Sequence, residues 1–226
     1  MLPIHAVLEE LKTTLRGGST AVLAAPPGAG KTTVVPLALL DEPWVAGRRI
    51  LVLEPRRLAA RAAASRMAQT LGQKPGETVG YRTRLESRIG PTTQIEVITE
   101  GVFTRMILDD PELGGVAAVL FDEFHERSLD ADLGLALARD SQQALRDDLR
   151  LLVMSATLDI AGVSRLLDGA PVVQAEGRAY PVETRYLGRD PGERLEAVLT
   201  RAVLTALGEE TGSILVFLPG QGEIHR

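Results

Sequence analysis

The sequence predicts an α/β fold in which a mostly parallel sheet carries helices on both faces. Short apolar runs alternate along the chain with longer segments whose apolar residues recur at helical spacing, and glycine, proline or polar residues separate them. An apolar run without polar alternation is typical of a parallel strand that is buried on both faces. Strands and helices that alternate in this way favour a parallel sheet with helices packed on either side.

The first predicted elements surround a glycine-rich turn. Apolar residues recur at helical spacing between residues 4 and 15, and Gly17-Gly18 ends that helix. Residues 80–84 show neither the helical spacing nor the alternation of a strand and are predicted to be irregular. The other elements of the first half are predicted, in order, as strand 20–24, helix 32–40, strand 50–53, helix 57–71, strand 95–98 and helix 102–108.

The second half continues the alternation and then changes. We expect one complete domain in residues 1–176 and the beginning of a second, incomplete domain in residues 177–226. The elements of the first domain are strand 116–121, a helix from about 130 to 145, strand 151–154 and helix 160–167. The elements beyond it are strand 182–187, helix 193–207 and strand 213–218.

A glycine-rich turn lies between the first predicted strand and the next helix. Such a turn directs backbone N–H groups and a helix N-terminus towards one point, which suits phosphate groups. The pattern G-x-x-x-x-G-K-[ST] is matched except that Ala25 replaces its first glycine, and an alanine at a strand end needs no positive φ. The pattern predicts that Lys31 reaches the β- and γ-phosphates and that Thr32 binds Mg²⁺. The alternative is an ordinary turn with a surface lysine. The predicted phosphate-binding residues are Gly28, Ala29, Gly30, Lys31, Thr32 and Thr33.

Acidic residues follow the apolar strand 116–121 directly. Ligands of open α/β sheets bind beyond the carboxyl ends of the strands, so these acids and the glycine-rich turn are expected at one sheet edge. Asp122 is then positioned to hold Mg²⁺ beside the phosphates, and Glu123 to orient and deprotonate an attacking water. The alternative is a helix-capping aspartate among solvated acids.

Two hydroxyl residues, Ser155 and Thr157, follow the apolar strand 151–154. In isolation such residues are best explained as caps of the next helix. At the same sheet edge as the other two loops, however, they can hydrogen-bond the acidic residues and respond to the presence of a γ-phosphate. We therefore predict that they couple the nucleotide to the rest of the protein.

Charge is segregated along the chain. The net charge is −5, yet residues 48–88 contain ten lysines and arginines against three acids. A local basic surface can bind phosphate backbones, although a solvated charged face is the simpler explanation of this segment alone. The absence of cysteine excludes disulfides and cysteine-ligated metals. Since neither a basic leader nor a long apolar stretch is found, we expect a cytoplasmic protein without a membrane segment.

These stretches resemble, in the right order and over essentially the whole chain, the motifs of superfamily 2 helicases of the DEAH/RHA class. The resemblance implies a RecA-like P-loop NTPase lobe followed by the start of a second RecA-like lobe. It implies ATP and Mg²⁺ as cofactors, single-stranded nucleic acid, with a preference for RNA over DNA, as the partner, and translocation from 3′ to 5′ by the full-length protein. The matches are residues 28–33 for motif I, 55–60 for motif Ia, 99–101 for motif Ib, 122–125 for motif II, 155–157 for motif III and 215–220 for motif IV.

The resemblance also implies roles for single residues. Arg66 matches the arginine that stacks on adenine in this class, and its planar guanidinium suits the face of a base. His125 matches a residue that couples the nucleotide to motif III. The implied catalytic residues are Lys31, Asp122, Glu123 and His125. The positions that match contacts to the nucleic-acid backbone are Arg56, Arg57, Thr99 and Gly101.

The sequence departs from the family pattern in motif II and in its extent. Phe124 stands where the family has alanine, which leaves the carboxylates and His125 in place. Motif V and the arginine-rich motif VI have no counterpart, so we expect an N-terminal fragment that works with the rest of its second lobe and with C-terminal domains. Two other functions stay open, a P-loop small-molecule kinase and a non-catalytic nucleic-acid-binding module. The first does not explain residues 155–157, and the second leaves Lys31 without a role.

Overall fold

The computed structural model describes residues 2–156, 160–177, 181–188 and 192–225. The chain divides into two units, Met1–Arg178 and Ala179–Arg226. The predicted boundary, after residue 176, lies two residues away from this division. Among the described helices, none combines the length and the apolar character that spanning a bilayer requires.

The first unit is built on a sheet of eight strands in the order β4-β3-β5-β2-β6-β7-β1-β8. Every neighbouring pair is parallel except β3 and β4, which are antiparallel. The predicted mostly parallel sheet is therefore confirmed. The strands are β1 Thr20–Ala24, β2 Arg49–Glu54, β3 Val79–Arg82, β4 Ser87–Arg88, β5 Ile95–Thr99, β6 Val116–Phe121, β7 Arg150–Ser155 and β8 Val172–Gln174.

Helices connect the strands and continue into the second unit. Two short 3₁₀ helices, Pro3–Ala6 and Phe124–Glu126, precede α1 and α5. The helices of the first unit are α1 Leu8–Gly17, α2 Lys31–Leu39, α3 Arg57–Thr70, α4 Glu100–Asp109, α5 Leu129–Ala144 and α6 Ile160–Leu166. Those described in the second unit are α7 Leu195–Glu209 and α8 Gln221–Ile224.

The sheet separates two hydrophobic layers, because successive strand residues point to opposite faces. In β2, Ile50 and Val52 pack in the layer that holds α1, α2 and α3. Leu51 and Leu53 pack in the opposite layer, with α4, α5 and residues near α6. All four are fully buried, which explains why a central strand reads as a continuous apolar run. The prediction of helices on both faces is confirmed.

The topology brings three predicted loops to one sheet edge. β7 lies between β1 and β6 and is parallel to both. The glycine-rich turn follows β1, the acidic residues follow β6 and Ser155 ends β7, so all three leave the same end of the sheet. A backbone hydrogen bond of 3.0 Å from the Ala25 N–H to the Ser155 carbonyl joins two of them.

Residues 79–88, part of which was predicted to be irregular, form the edge hairpin of β3 and β4. Gly80 allows the two strands to approach, because a Cβ at this position would lie 2.4 Å from the Arg88 carbonyl oxygen. Strand β3 was not predicted because the glycine and the flanking arginines interrupt the apolar pattern that indicates a strand. β8, three residues long, was not predicted either.

The second unit differs from its prediction. Helix α7 is found within two residues of the predicted bounds. Residues 182–187 and 213–218 were predicted to be strands, and both predictions are wrong, because neither stretch is a strand in the part of the unit that the structure describes. Their apolar side chains are exposed, with Val182 at 88%, Tyr186 at 94% and Phe217 at 84%. An apolar run forms a strand only where a partner supplies ladder hydrogen bonds and an apolar cover.

Candidate nucleotide site and nucleic-acid groove

The phosphate loop, residues 25–31, joins β1 to α2 in the conformation that its glycines permit. Gly28 and Gly30 have φ values of 74° and 100°, in the left-handed region that favours glycine. A Cβ on Gly30 would also lie within 3.0–3.2 Å of three apolar side chains. Ala25, which replaces the first glycine of the pattern, is buried and is not among the residues with positive φ. The replacement is therefore compatible with the loop.

Lys31 begins α2 and turns back into its own loop. Its side chain is buried, and Nζ donates hydrogen bonds to the carbonyl oxygens of Ala25 at 2.8 Å and Pro26 at 3.2 Å. An ammonium forms a stronger hydrogen bond with an anionic phosphate oxygen than with a neutral carbonyl. The loop therefore holds a cation at the N-terminus of a helix, where an anion is also favoured by the helix dipole.

The phosphate loop is tied to the acidic loop, residues 122–127. The hydroxyl of Thr32 donates to Asp122 Oδ2, and the Glu123 N–H donates to Asp122 Oδ1 at 2.9 Å. The Asp122 N–H is itself bound to the Leu53 carbonyl at 3.1 Å. Burial raises the pKa of Asp122, while the hydrogen bond from Thr32 opposes that shift. A hydroxyl and a carboxylate thus meet beside the phosphate loop.

Glu54 is a member of this site that sequence reasoning missed. It ends β2, next to β6 in the sheet, and only 3% of its surface is exposed. Burial, and then the negative charges of Asp122 and Glu123, raise the pKa of Glu54 to about 8. Burial beside two other acids therefore favours the protonated form of this group more than in an exposed glutamate. Its signal was available, because an acid ends this apolar strand just as Asp122 follows another.

His125 connects the acidic loop to the residues after β7. The Ala156 N–H donates to His125 Nδ1 at 3.3 Å, which requires Nδ1 to be an acceptor and leaves the ring proton on Nε2. Glu123 Oε2 lies 3.4 Å from the same nitrogen, so this contact is close without being a hydrogen bond in that tautomer. Ser155 is buried beside these residues, and Thr157 lies outside the described part of the chain.

Phe124, the unusual residue of motif II, anchors the acidic loop in the core. Its ring is buried and meets the ring of Phe121 edge to face, with centroids 6.3 Å apart. The guanidinium of Arg127 lies over the Phe124 ring, 5.7 Å from the ring centroid. Glu123, just before it, has a φ of 48°, a backbone conformation that residues other than glycine seldom adopt. The buried ring of Phe124 therefore fixes the backbone that directly follows Glu123.

A cavity of 460 Å³, here called the nucleotide cavity, opens beside these loops. The predicted residues Thr32, Thr33 and Glu123 line one side, and Arg66 of α3 lines the other. Ala62 and Ala63 of α3 add a wall of small side chains next to Arg66. Its lining also includes Glu54, Pro55, Arg56, Ala59 and Glu126. The cavity thus joins Thr32 and Thr33 of the predicted phosphate-binding residues to Arg66, whereas the other four, Gly28, Ala29, Gly30 and Lys31, are not in its lining.

A second depression, of 860 Å³, is here called the groove. Of the predicted nucleic-acid residues it contains Arg57, Thr99 and Gly101. Arg56 instead lines the nucleotide cavity, where its guanidinium forms an ion pair of 2.9 Å with Glu126. Neighbouring arginines of the motif Ia stretch therefore face two different sites.

Three further arginines line the groove and were not predicted. Arg82 and Arg84 come from the edge hairpin and Arg105 from α4, one turn beyond Gly101. The first two belong to the basic segment 48–88, so charge segregation was the signal that could have found them. The groove is not purely basic, since its lining also includes Glu100, Asp109, Asp110 and Asp130.

One hydrogen-bonded path connects the groove to the end of the acidic loop. Ser128 caps α5 by accepting from the Ala131 N–H at 2.9 Å, and its hydroxyl donates to Glu100 at 2.5 Å. Glu100 lies between Thr99 and Gly101 in the lining of the groove. The residue that starts α5 is therefore in contact with the predicted nucleic-acid side of the unit.

A phosphate loop after β1, an acid at the same sheet edge after β6 and a threonine that joins them define the P-loop class of nucleotide-binding proteins. A family model described as DEAD/DEAH box helicase matches residues 6–166, and the chain belongs to this family.

Named relatives agree with the family. The chain is 56% identical over 225 residues to the protein named ATP-dependent RNA helicase HrpB of Escherichia coli, covering all of this chain and 28% of that protein. It is 34% identical over 227 residues to the protein named Probable ATP-dependent RNA helicase DHR2 of Saccharomyces cerevisiae, covering all of this chain and 31% of that protein. The chain therefore spans less than a third of these relatives.

Solved structures agree as well. The crystal structure of E. coli DEAH/RHA helicase HrpB matches the chain with a TM-score of 0.92 and 55% identity, over all of this chain and 29% of that one. A structure described as E. coli DExH-box NTPase HrpB matches with a TM-score of 0.80 and 55% identity, over 99% of this chain and 28% of that one. The predicted DEAH/RHA likeness and RecA-like lobe are confirmed.

Proposed function

We propose that the protein is an ATP-dependent RNA helicase of the DEAH class and that residues 1–226 bind the nucleotide. The observation that supports this most directly is the hydrogen bond between Thr32 and Asp122. It joins the phosphate loop to the acidic loop beside a cavity that Arg66 also lines. RNA is proposed as the substrate because both relatives are named RNA helicases, and the groove contains arginines that could contact a nucleic-acid backbone.

The phosphate groups of ATP are assigned to residues 28–33, with Lys31 as the cation that replaces its present carbonyl partners by phosphate oxygens. The adenine is assigned to Arg66, because a guanidinium plane stacks on any base face. Ala62 and Ala63 leave room for the ring beside it. No hydrogen-bonding side chain of α3 other than Arg66 lines the described cavity, which favours stacking over base readout.

Mg²⁺ fits the donor set that Thr32 and Asp122 provide. This ion is held in nucleotide sites by one or two protein oxygens, waters and the substrate phosphates. Within the described residues, no group of three or more acids or histidines could hold a metal ion alone, which agrees with such a shared site. When bound, Mg²⁺ offsets the negative charge of the β- and γ-phosphates.

Glu123 is the proposed general base. It follows the metal-binding Asp122, lines the cavity and has a carboxylate that is partly exposed, as a group that receives a proton from water must be. His125 is proposed to transmit the state of the site to residues 155–157, because it accepts the Ala156 N–H. Ser155 and Thr157 keep their predicted coupling role.

The single-stranded nucleic acid is assigned to the groove. Arg57, Thr99 and Gly101 are proposed to contact its backbone, together with Arg82, Arg84 and Arg105. Contacts to phosphates carry no sequence information, so the binding is expected to be independent of sequence. Arg56 keeps its predicted nucleic-acid role only as a prediction, because it lines the other cavity.

Residues 1–176 are proposed to be the first RecA-like lobe, and residues 177–226 the linker and start of the second. The remaining second lobe and C-terminal domains would belong to a cytoplasmic protein of the length of the relatives. Arginine fingers from a partner lobe are worth about 10³–10⁵ in rate in related NTPases. We therefore expect residues 1–226 alone to bind ATP weakly and to hydrolyse it slowly.

The test compares ATP binding and hydrolysis with and without single-stranded RNA. Full-length protein is expected to hydrolyse ATP faster with RNA, and Lys31→Ala to lose binding in either form. Rapid RNA-stimulated hydrolysis by residues 1–226 alone would contradict the proposed division of labour. A small-molecule kinase would show no stimulation by RNA, and a non-catalytic module would show no hydrolysis.

A further inference from the structure

The chain that leaves β8 packs directly on the phosphate loop. β8 pairs with β1 in parallel, and the ladder continues one residue further through a 2.8 Å hydrogen bond from the Ala175 N–H to the Ala24 carbonyl. Two residues later, Gly177 meets the ring of Pro26. A Cβ at position 177 would lie 2.1 Å from Cγ of that ring, 3.0 Å from its Cβ and 3.3 Å from its Cδ.

Only glycine fits this contact as it stands, since real Cβ atoms essentially never approach another heavy atom to 2.1 Å. The φ of Gly177 is not in the left-handed region, so backbone conformation does not explain the glycine. Space does. The missing side chain allows residues 175–177 to lie against the loop.

Pro26 links this contact to the nucleotide site. Its carbonyl accepts from Lys31 Nζ at 3.2 Å and from the Ala29 N–H at 3.2 Å. On the other side of the loop, the Ala25 N–H donates to Ser155. The entrance of the phosphate loop is therefore held between β7 and the chain that leaves β8.

We propose that Gly177 is a positioning residue of the nucleotide site. The chain leaving β8 packs on Pro26 and holds the phosphate loop in the conformation from which Lys31 reaches a nucleotide. This inference rests on the proposed ATP site and adds to it a residue that lies outside the helicase motifs.

The test is a double-mutant cycle in the full-length protein, read by titration with a fluorescent ATP analogue and Mg²⁺. Gly177→Ala is expected to weaken binding about tenfold, because overpacking must displace either the loop or the chain that covers it. Pro26→Ala removes the ring atoms Cγ and Cδ. In that background Gly177→Ala is expected to change the affinity by less than about twofold.

Gly17→Ala is the matched control, since Gly17 ends α1 with open space around its Cβ position. It is expected to bind the analogue like the wild type. Thermal unfolding without nucleotide separates positioning from folding. Because the chain that leaves β8 can shift locally, Gly177→Ala should lower Tm without nucleotide by no more than about 2 °C, and it should lose part of the nucleotide-induced rise in Tm.

Two kinds of result would overturn the inference, and they can be told apart. If the wild type binds the analogue and Gly177→Ala binds it equally well, Gly177 does not position the loop. The same conclusion follows if the two substitutions weaken binding independently, or if Gly177→Ala lowers Tm without nucleotide in proportion to its loss of affinity. If the wild type itself fails to bind, the proposed ATP site is wrong, and the inference falls with it.

Discussion

The hydroxyl of Thr32 donates a hydrogen bond to the carboxylate of Asp122, although 90 residues separate the two in sequence. The contact exists because β1 and β6 flank β7 in a parallel sheet, so their carboxyl ends lie at the same edge. The hydroxyl satisfies a buried carboxylate whose pKa is raised by burial. Both groups are oxygen ligands of the kind that Mg²⁺ prefers.

Thr32→Val keeps the volume of the side chain and removes its oxygen. We expect ATP hydrolysis by the full-length protein to fall roughly 100-fold at low Mg²⁺, and the Mg²⁺ concentration needed for half-maximal rate to rise, because one metal ligand is lost. A magnesium titration of the hydrolysis rate measures both. Thr14→Val is the control, because it removes a half-buried hydroxyl that bonds the Glu10 carbonyl within α1. An unchanged magnesium requirement would remove Thr32 from the metal site.

Arg66 is expected to bind the base and not the phosphates. Arg66→Ala should weaken ATP binding by about tenfold, within the roughly 1–3 kcal/mol that stacking on a base is worth. Arg66→Lys should restore little of it, because an ammonium has no plane to stack. The deciding measurement is competition with inorganic tripolyphosphate. The affinity for tripolyphosphate should be the same in the wild type, Arg66→Ala and Arg66→Lys. If tripolyphosphate binding falls in parallel with ATP binding, Arg66 contacts phosphates instead.

The groove is expected to bind phosphates through Arg57. Arg57→Ala should weaken binding of single-stranded RNA of any sequence and reduce the slope of log affinity against log salt by about one. Lys74→Ala removes a positive charge from the same basic segment but outside the groove lining, and should change the slope much less. Equal effects of the two substitutions, measured by fluorescence anisotropy over a salt series, would show that only net charge matters.

Asp148 makes a pH-dependent contribution to stability far from the site. Hydrogen bonds from Arg146, at 2.7 Å, and from Arg48 hold the pKa of Asp148 well below its usual value of 3.8. A carboxyl with a lowered folded-state pKa stabilises the protein above its unfolded pKa, and this stabilisation is lost as the pH falls towards the folded value. Its side chain is 39% exposed, so screening limits the effect.

We therefore expect Asp148→Asn to lower Tm at pH 7 by about 2–5 °C, which corresponds to roughly 1 kcal/mol. The difference from the wild type should shrink below about pH 4, where the Asp148 carboxylate of the unfolded chain takes up its proton while that of the folded protein is still ionised. Thermal unfolding at pH 7, 5 and 3 measures it. A Tm difference that stays constant over this range would mean that the substitution acts through packing and not through charge.

The sequence predicted best those features that depend on local pattern. The apolar runs ending at Ala24 and Phe121 gave strands with the predicted bounds, because strands buried on both faces contain few polar residues. The edge hairpin was missed, since Gly80 and Arg82 break the pattern for reasons that lie in neighbouring chain segments. Gly80 leaves space for the Arg88 backbone, and Arg82 donates a hydrogen bond of 3.0 Å to the buried Glu96.

The site was predicted where a motif names residues and missed where only tertiary contact does. Glu54 belongs to the acid cluster because β2 lies next to β6, a neighbour relation that the order of elements alone does not give. Arg56 and Arg57 are adjacent in sequence, yet they line different cavities because consecutive residues at the start of α3 point in different directions. No period or propensity distinguishes the two.

Glu123 is proposed to activate water in an ATP site whose turnover responds to RNA. The measurement is the ATP hydrolysis rate of the full-length protein and of Glu123→Gln, each with and without single-stranded RNA, alongside ATP affinity. We predict that RNA accelerates the wild type, and that Glu123→Gln binds ATP as tightly while hydrolysing it about 10²–10⁴-fold more slowly. Hydrolysis by Glu123→Gln at the wild-type rate, or a wild-type rate that RNA leaves unchanged, would contradict the proposal.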